Sequence, residues 1–261
     1  MNMELIQINK FSELHDNNKI IFCKTDFILS EFEKIKNLNH DVILISGNSD
    51  YSIDDRLISL CPKNVKKWYA QNVLSNNPIL EPLPIGLENK LPSLRDGHGV
   101  GYLDRVTEKE NLLSRKIDTL PSKKIYSNFN INTNLRYRSK IKQICLGSNH
   151  IDWEESNLTL KGFFDKILDY ESVVCPIGNG IDTHRLWEVL YSNRIPITIK
   201  VGNFKIYDLY KKLPIVILEN EIDLYDLTLI EEKISEIKNS KFNLEILDCS
   251  FWKNKILNTT I

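Results

Sequence analysis

Short apolar runs alternate along this chain with segments of about 10 to 15 residues whose apolar positions recur at helical spacing, a rhythm that argues for parallel sheets covered by helices. Lys19 to Lys24 (KIIFCK) reads as a buried strand, Phe27 to Leu38 as a helix, and Asp41 to Ser46 (DVILIS) as a second strand ending at Gly47. A further strand is expected near Lys67 to Val73. The proline-punctuated Ile79 to Gly86 (ILEPLPIG) predicts an extended segment closed by a turn, and Asp104 to Arg115 a helix. After a Pro/Ser/Lys stretch at Thr119 to Lys123 the rhythm begins again. Its strands are predicted at Lys124 to Asn128, Ser172 to Pro176, Ile195 to Lys200 and Pro214 to Leu218. Helices are predicted at Leu135 to Cys145, Leu160 to Tyr170, Thr183 to Ser192, Asn203 to Lys211, Leu227 to Asn239 and Ser250 to Leu257.

The break divides the 261 residues into two halves, 1–120 and 121–261, with a cleft between them; the last helix is placed to cross back to the first half. In open α/β sheets ligands gather beyond the carboxyl ends of the strands, so chemistry is expected in the loops that follow them. Lys plus Arg number 34 against 35 Asp plus Glu, so no global charge draws the chain to nucleic acid. No apolar run approaches the ~18 residues of a membrane span, and Met1 to Phe11 lacks a signal-peptide core. The five cysteines are scattered and form no CxxC pair, which suits reduced thiols in a cytoplasmic setting and gives no zinc-ligand spacing.

One segment carries most of the chemistry. Cys175 to Glu188 (CPIGNGIDTHRLWE) runs from the end of a predicted strand through a glycine-bracketed loop into a helix. Gly178, Asn179 and Gly180 would let backbone approach a ligand, and the first turn of the helix would offer unpaired N–H groups to a phosphate. An ordinary strand-to-helix turn capped by Asp182 or Thr183 has the same local pattern. On that helix His184 and Glu188 share a face, with Arg185 one turn before Glu188. Arg194 to Ile199 then returns as a strand.

The run GNGIDTHRLWEVLYSNRIPITIK, residues 178 to 200, resembles the donor-site signature of exostosin-like glycosyltransferases, in which an Arg and a W-E-x-L segment precede a small-residue turn and an I-P-I strand. Weaker similarity extends to Tyr126 to Arg138, Trp68 to Asn89 and Ile45 to Tyr51, while Asn193-Arg194 departs from the usual glycine-containing turn. The resemblance implies a GT-B-like α/β fold of two Rossmann-like halves, the first on the acceptor side and the second binding a sugar nucleotide, uridine-linked. It further implies that Glu188 takes the ribose hydroxyls while Arg185 and the Gly178 to Gly180 backbone face the diphosphate or sugar. A carboxylate can accept two diol hydrogens and a guanidinium can grip phosphate oxygens, so the residue types suit those roles. Asn130, Arg136 and Arg138, in and beyond the first loop of the second half, could complete the phosphate cradle, or the arginines could be surface residues of a helix.

No Asp-x-Asp pair occurs, so a divalent metal is not expected to be essential and the nucleotide-sugar is the only co-substrate foreseen, with a glycan or other hydroxyl acceptor. G-N-G-I-D-T superficially follows a dinucleotide fingerprint, but Thr183 replaces the third glycine and no acidic residue ends the following strand, which disfavours an NAD enzyme. A catalytically inert sugar-nucleotide or glycan-binding module is the competing reading. Trp68-Tyr69, Phe163-Phe164, Trp187 and Trp252 are assigned to the core. Asp50, just past the strand Asp41 to Ser46, is the candidate base for an inverting transfer, with a turn-capping role as its alternative and Asp54, Asp55 and Glu88 in reserve.

Overall fold

A computed structural model describes residues 3–16, 18–90, 103–115 and 120–261. Among the described residues the chain forms a four-stranded and a five-stranded parallel sheet and a small two-stranded parallel ladder, with helices packed against the larger two, a mixed α/β fold compatible with a Rossmann-like arrangement. The first sheet has the order β1 (Ile20–Lys24), β2 (Val42–Gly47), β4 (Val65–Ala70), β6 (Leu80–Pro82). The second runs β11 (Val216–Leu218), β10 (Ile195–Ile199), β9 (Tyr170–Val174), β7 (Lys123–Ser127), β8 (Ile151–Trp153). Every residue of β2 is buried, as expected of a central parallel strand covered on both faces.

The helices are α1 (Ile28–Lys36), α2 (Asp55–Ser59), α3 (Leu103–Leu113), α4 (Leu135–Gly147), α5 (Leu160–Leu168), α6 (His184–Tyr191), α7 (Ile206–Tyr210), α8 (Leu227–Asn239) and α9 (Cys249–Leu257). The predicted alternation is present, with three local differences. The strand expected over Lys67 to Val73 is broken, because Asn72 adopts a left-handed φ of 52° and turns the chain into β5 (Val73–Leu74), which pairs with β3 (Ile53–Asp54). The edge strand β8 and the short helix α2 have no counterpart in the sequence reading. Part of the boundary placed at Thr119 to Lys123 lies outside the described residues; the second series begins at β7.

Among the described residues three apolar clusters form the core, and the first of them crosses the proposed boundary. It joins Ile43, Ile45, Tyr69 and Leu83 of the first half to Tyr126, Val173, Trp187, Val189 and Trp252 of the second. A second cluster packs α4 and α8 on the second sheet, and a third packs α1 on the first. The terminal helix crosses back as expected. Tyr69 Oη lies 2.7 Å from Thr259 Oγ1, Lys255 pairs with Glu81 at 2.5 Å, and the Cys249 N–H donates to the Glu4 carbonyl. Trp68, Trp187 and Trp252 are all buried, and Phe163 and Phe164 lie in the shared cluster. Among the described residues no helix is long and apolar enough to cross a membrane.

Candidate functional site

The loops that follow β2 and β4 are hydrogen-bonded to the loop from β9 to α6. That last loop is held from its own half by α4. Arg138 donates from Nε to the Ile177 carbonyl (2.8 Å), from Nη1 to Asn130 (2.8 Å) and from Nη2 to Pro176 (3.1 Å). Asn134 Nδ2 donates to the Gly178 carbonyl at 2.9 Å. Arg138 is 7% exposed, and burial pushes its guanidinium down to about 10. Its position on α4 turns it toward the sheet, so it clamps backbone instead of presenting itself to a phosphate. Arg136, two residues earlier, is exposed. Asn130 caps the short turn Ile131–Asn134 by accepting from the Asn132 N–H at 2.9 Å.

From the other half the loop is met by Asn72, which donates from Nδ2 to the Ser49 carbonyl (3.0 Å) while its Oδ1 accepts from the Asp182 N–H at 3.3 Å. A Cβ on Gly180 would overlap the Asn72 carboxamide, and one on Gly178 would lie 3.1 Å from Arg138 Nη2. The two glycines therefore admit neighbours from within the molecule, whereas the sequence pattern suggested a ligand. Gly180→Ala is expected to cost about 1 to 3 kcal/mol of stability by displacing Asn72, read as a lower urea midpoint at unchanged slope. Gly178→Ala should shift it less.

Asp182 is a structural tie. Its Oδ2 accepts from the Ile85 N–H of the first half (2.8 Å), and its Oδ1 accepts from the Thr183 N–H, Trp187 Nε1 and Tyr210 Oη (2.9, 2.8 and 2.8 Å). Burial raises its pKa against these hydrogen bonds, which act to lower it. His184 is engaged in the same seam, donating from Nδ1 to the Gly86 carbonyl at 2.8 Å. Asp182 is not turned outward for a sugar nucleotide in this arrangement, and one ring nitrogen of half-buried His184 is committed to the seam.

Helix α6 is buried on every side from Leu186 to Tyr191, and Glu188 lies in the middle of that stretch, 6% exposed. A carboxylate there needs compensation. Its Oε1 accepts from Lys109 Nζ at 2.6 Å and its Oε2 from Arg185 Nε at 3.1 Å; Lys109 Nζ also reaches Glu88 Oε2 at 2.5 Å. Burial drives the Glu188 pKa up, but Lys109 and Arg185 more than reverse it, so the carboxyl is held well below its ordinary range. Lys109 is likewise penalised by burial and then raised above its ordinary value by Glu188 and Glu88. Glu188 is therefore the centre of a buried ion cluster, with 8% of its side chain left exposed.

Lys109 was not singled out in the sequence. The signal was there, since Lys109 falls three residues after Val106 and three before Leu112, on the buried stripe of α3. Arg185 completes the cluster. Its guanidinium stacks 3.8 Å from the centre of the Phe163 ring, and its Nη1 donates to the Asn128 carbonyl. Nη2 has no partner among the described residues, and a quarter of the side chain is exposed. The first turn of α6 has no side-chain cap; its Leu186 N–H closes onto the Thr183 carbonyl, and the His184 and Arg185 N–H groups have no bond among the described residues.

Asp50 is exposed and its Oδ2 accepts from Asn179 Nδ2 at 3.0 Å, joining the loop after β2 to the loop after β9. Turn capping does not occupy it; the Tyr51 N–H is bonded to Ser49 Oγ. The reserve carboxylates are committed elsewhere. Asp54 caps α2 through the Leu57 N–H, Asp55 accepts from Ser75 Oγ, and Glu88 holds Lys109. Among the described residues no three His, Cys, Asp or Glu groups are gathered at metal-binding spacing. Cavities of about 460 and 360 Å³ open elsewhere, along the outer strands β8 and β11, where Asp152 and Glu154 are held by Tyr170 and Tyr126.

No family model matches the chain, and no curated protein matches it.

Proposed function

We propose that the chain is a GT-B-type glycosyltransferase that moves a sugar from a uridine-linked nucleotide donor to a glycan hydroxyl. The observation that carries this reading is the hydrogen bonding of loops from the carboxyl ends of two parallel sheets, with Arg185 and the uncapped first turn of α6 on one side and Asp50 on the other. In the proposed reaction Asp50 takes the acceptor hydroxyl proton, the acceptor oxygen attacks the anomeric carbon with inversion, and the bond to the diphosphate breaks. The α6 dipole and Arg185 then stabilise the leaving diphosphate. Residues 121–261 bind the donor and 1–120 the acceptor. The free cysteines suit a reducing, cytoplasmic setting.

Glu188 enters this scheme differently from the sequence expectation. With Lys109 on one oxygen and Arg185 on the other, each oxygen keeps one lone pair for a ribose hydroxyl. An inert sugar-nucleotide or glycan-binding module is the second reading, since the same donor-site residues bind without chemistry.

A panel of labelled sugar nucleotides separates the two. Transfer or hydrolysis of one of them supports the enzyme, binding without turnover supports the module, and neither binding nor turnover overturns both. In the active case Asp50→Asn is expected to keep donor affinity and reduce turnover roughly 10²-fold or more. Wild-type turnover across pH would remove Asp50 as the base.

A further inference from the structure

The Glu88, Lys109 and Glu188 side chains come from three separate parts of the chain and meet at one ammonium. Lys109 is 2% exposed, and its bonds of 2.5 and 2.6 Å place the bonded carboxylate oxygens within about 5 Å of each other. Glu188 is buried and Glu88 largely so, and two carboxylates that close cannot both stay ionised there without a cation between them. Arg185 reaches Glu188 but has no bond to Glu88, so Lys109 is the group that serves both. The other charges around the pair are already placed. On α6 there is His184 as well as Arg185; on α3 Glu110 pairs with Lys90; on α5 Asp165 pairs with Arg115; the Cys175 thiol ends β9, and Arg138 is spent on backbone carbonyls.

We propose that Lys109 is a positioning residue of the nucleotide site: its ammonium, shared between Glu88 and Glu188, keeps Glu188 ionised and oriented so that its two remaining lone pairs accept the ribose diol of a nucleoside diphosphate. This rests on the donor-binding reading above. A neutral Glu188 would turn one oxygen from acceptor into donor and lose half of the diol contact. Lys109 itself lies behind the carboxylate, bonded to protein, and acts only through it.

The test uses the full chain with UDP as the probe, comparing wild type, Lys109→Met and the double variant Lys109→Met with Glu88→Gln. Affinity is measured by calorimetry at pH 6 and pH 8, each variant against wild type at the same pH, which cancels titration of the UDP phosphate. Lys109→Met leaves two facing carboxylates that share a proton, so its affinity should fall about tenfold at pH 6 and less at pH 8, where the proton is lost. Adding Glu88→Gln leaves a single carboxylate beside Arg185 and should return affinity to within about threefold of wild type at both pH values.

A loss equal at both pH values and not relieved by Glu88→Gln would mean that Lys109 only fills space, and would overturn the proposal. If Lys109→Met does not fold, the double variant decides alone: folded with near-normal affinity supports the proposal, folded with a tenfold loss overturns it. Wild type that binds no UDP would end the donor reading and the ligand role with it. Melting temperatures still separate the two failures. Relative to wild type, Lys109→Met should melt lower at pH 8 than at pH 5 and recover with Glu88→Gln whenever Lys109 keeps both carboxylates ionised, ligand or none.

Discussion

Asp182→Ala is expected to lower the free energy of unfolding by about 4 kcal/mol, because one truncation orphans several buried donors at 1 to 3 kcal/mol each. Four donors converge on this carboxylate, and three of them come from the Ile85 backbone, Trp187 and Tyr210. Two of those side chains are among the most deeply buried in the molecule. Water cannot replace the lost acceptor without entering the shared core. The Ile85 bond also joins the two halves, so the loss should reach the first sheet as well as α6. Asp182→Asn is the more informative partner. It preserves volume, but its amide nitrogen must face at least one donor, since all four neighbours donate. Urea denaturation of the three proteins checks this: a midpoint for Asp182→Ala within a few tenths of wild type would show that the tie carries no stability.

Glu188→Ala should cost about 3 to 5 kcal/mol, the range for removing one partner from a buried ion pair. The substitution leaves Lys109 buried with Glu88 alone, strips Arg185 Nε of its carboxylate, and opens a small void in a helix buried on every side. Glu188→Gln should cost less, since it retains shape and one acceptor. The pH dependence has a definite sign. The folded-state pKa of Glu188 is depressed below its unfolded value, so its contribution is complete above about 4.3 and is lost as pH falls through the folded value. Lys109 is raised, so its contribution is complete below about 10.4 and is lost above that. The stability difference between wild type and Glu188→Ala should therefore be flat from about pH 5 to 10 and shrink in acid. A difference that is small at pH 7, or that grows in acid, would contradict the ion cluster.

This second result bears directly on how Glu188 is tested in function. A carboxylate on an open cleft could be truncated at little cost, and loss of nucleotide binding could be assigned to the missing contact. Here the same substitution perturbs Lys109, Arg185 and the packing around Phe163 together. Glu188→Gln, with stability measured first, is the variant that isolates the ligand role. Arg185 is easier to interrogate, because its exposed edge lies on the α6 terminus while its ring contact and carbonyl bond hold it in place.

Local physics made much of the fold legible in the sequence. The apolar runs of β1, β2, β7 and β10 appear where a period of two or a continuous buried strand predicts them, and α4 and α8 follow helical spacing. The strand, glycine loop and helix around Cys175 to Glu188 were equally visible, since turn chemistry and amphipathicity are encoded within a few residues. The elements that were missed are those with little local signal. The strand β8 has three residues at a sheet edge, and the break at Asn72 depends on a left-handed backbone that its neighbours impose.

What only the tertiary structure decided is the partner of each polar group. Position 188 is tied to 109 and 88, position 182 to 85 and 210, and position 179 to 50, and none of these pairings leaves a trace in local periodicity. The sequence identified Glu188, Asp182, Gly180 and Arg138 as residues that a ligand could use. Folding assigned their hydrogen bonds and free space largely to other parts of the chain, because a buried charge or donor must find compensation within the molecule before any ligand arrives. Arg185 and Asp50 kept an outward face because each is anchored at one side only, Arg185 by Phe163, Asn128 and Glu188, and Asp50 by a single amide from Asn179.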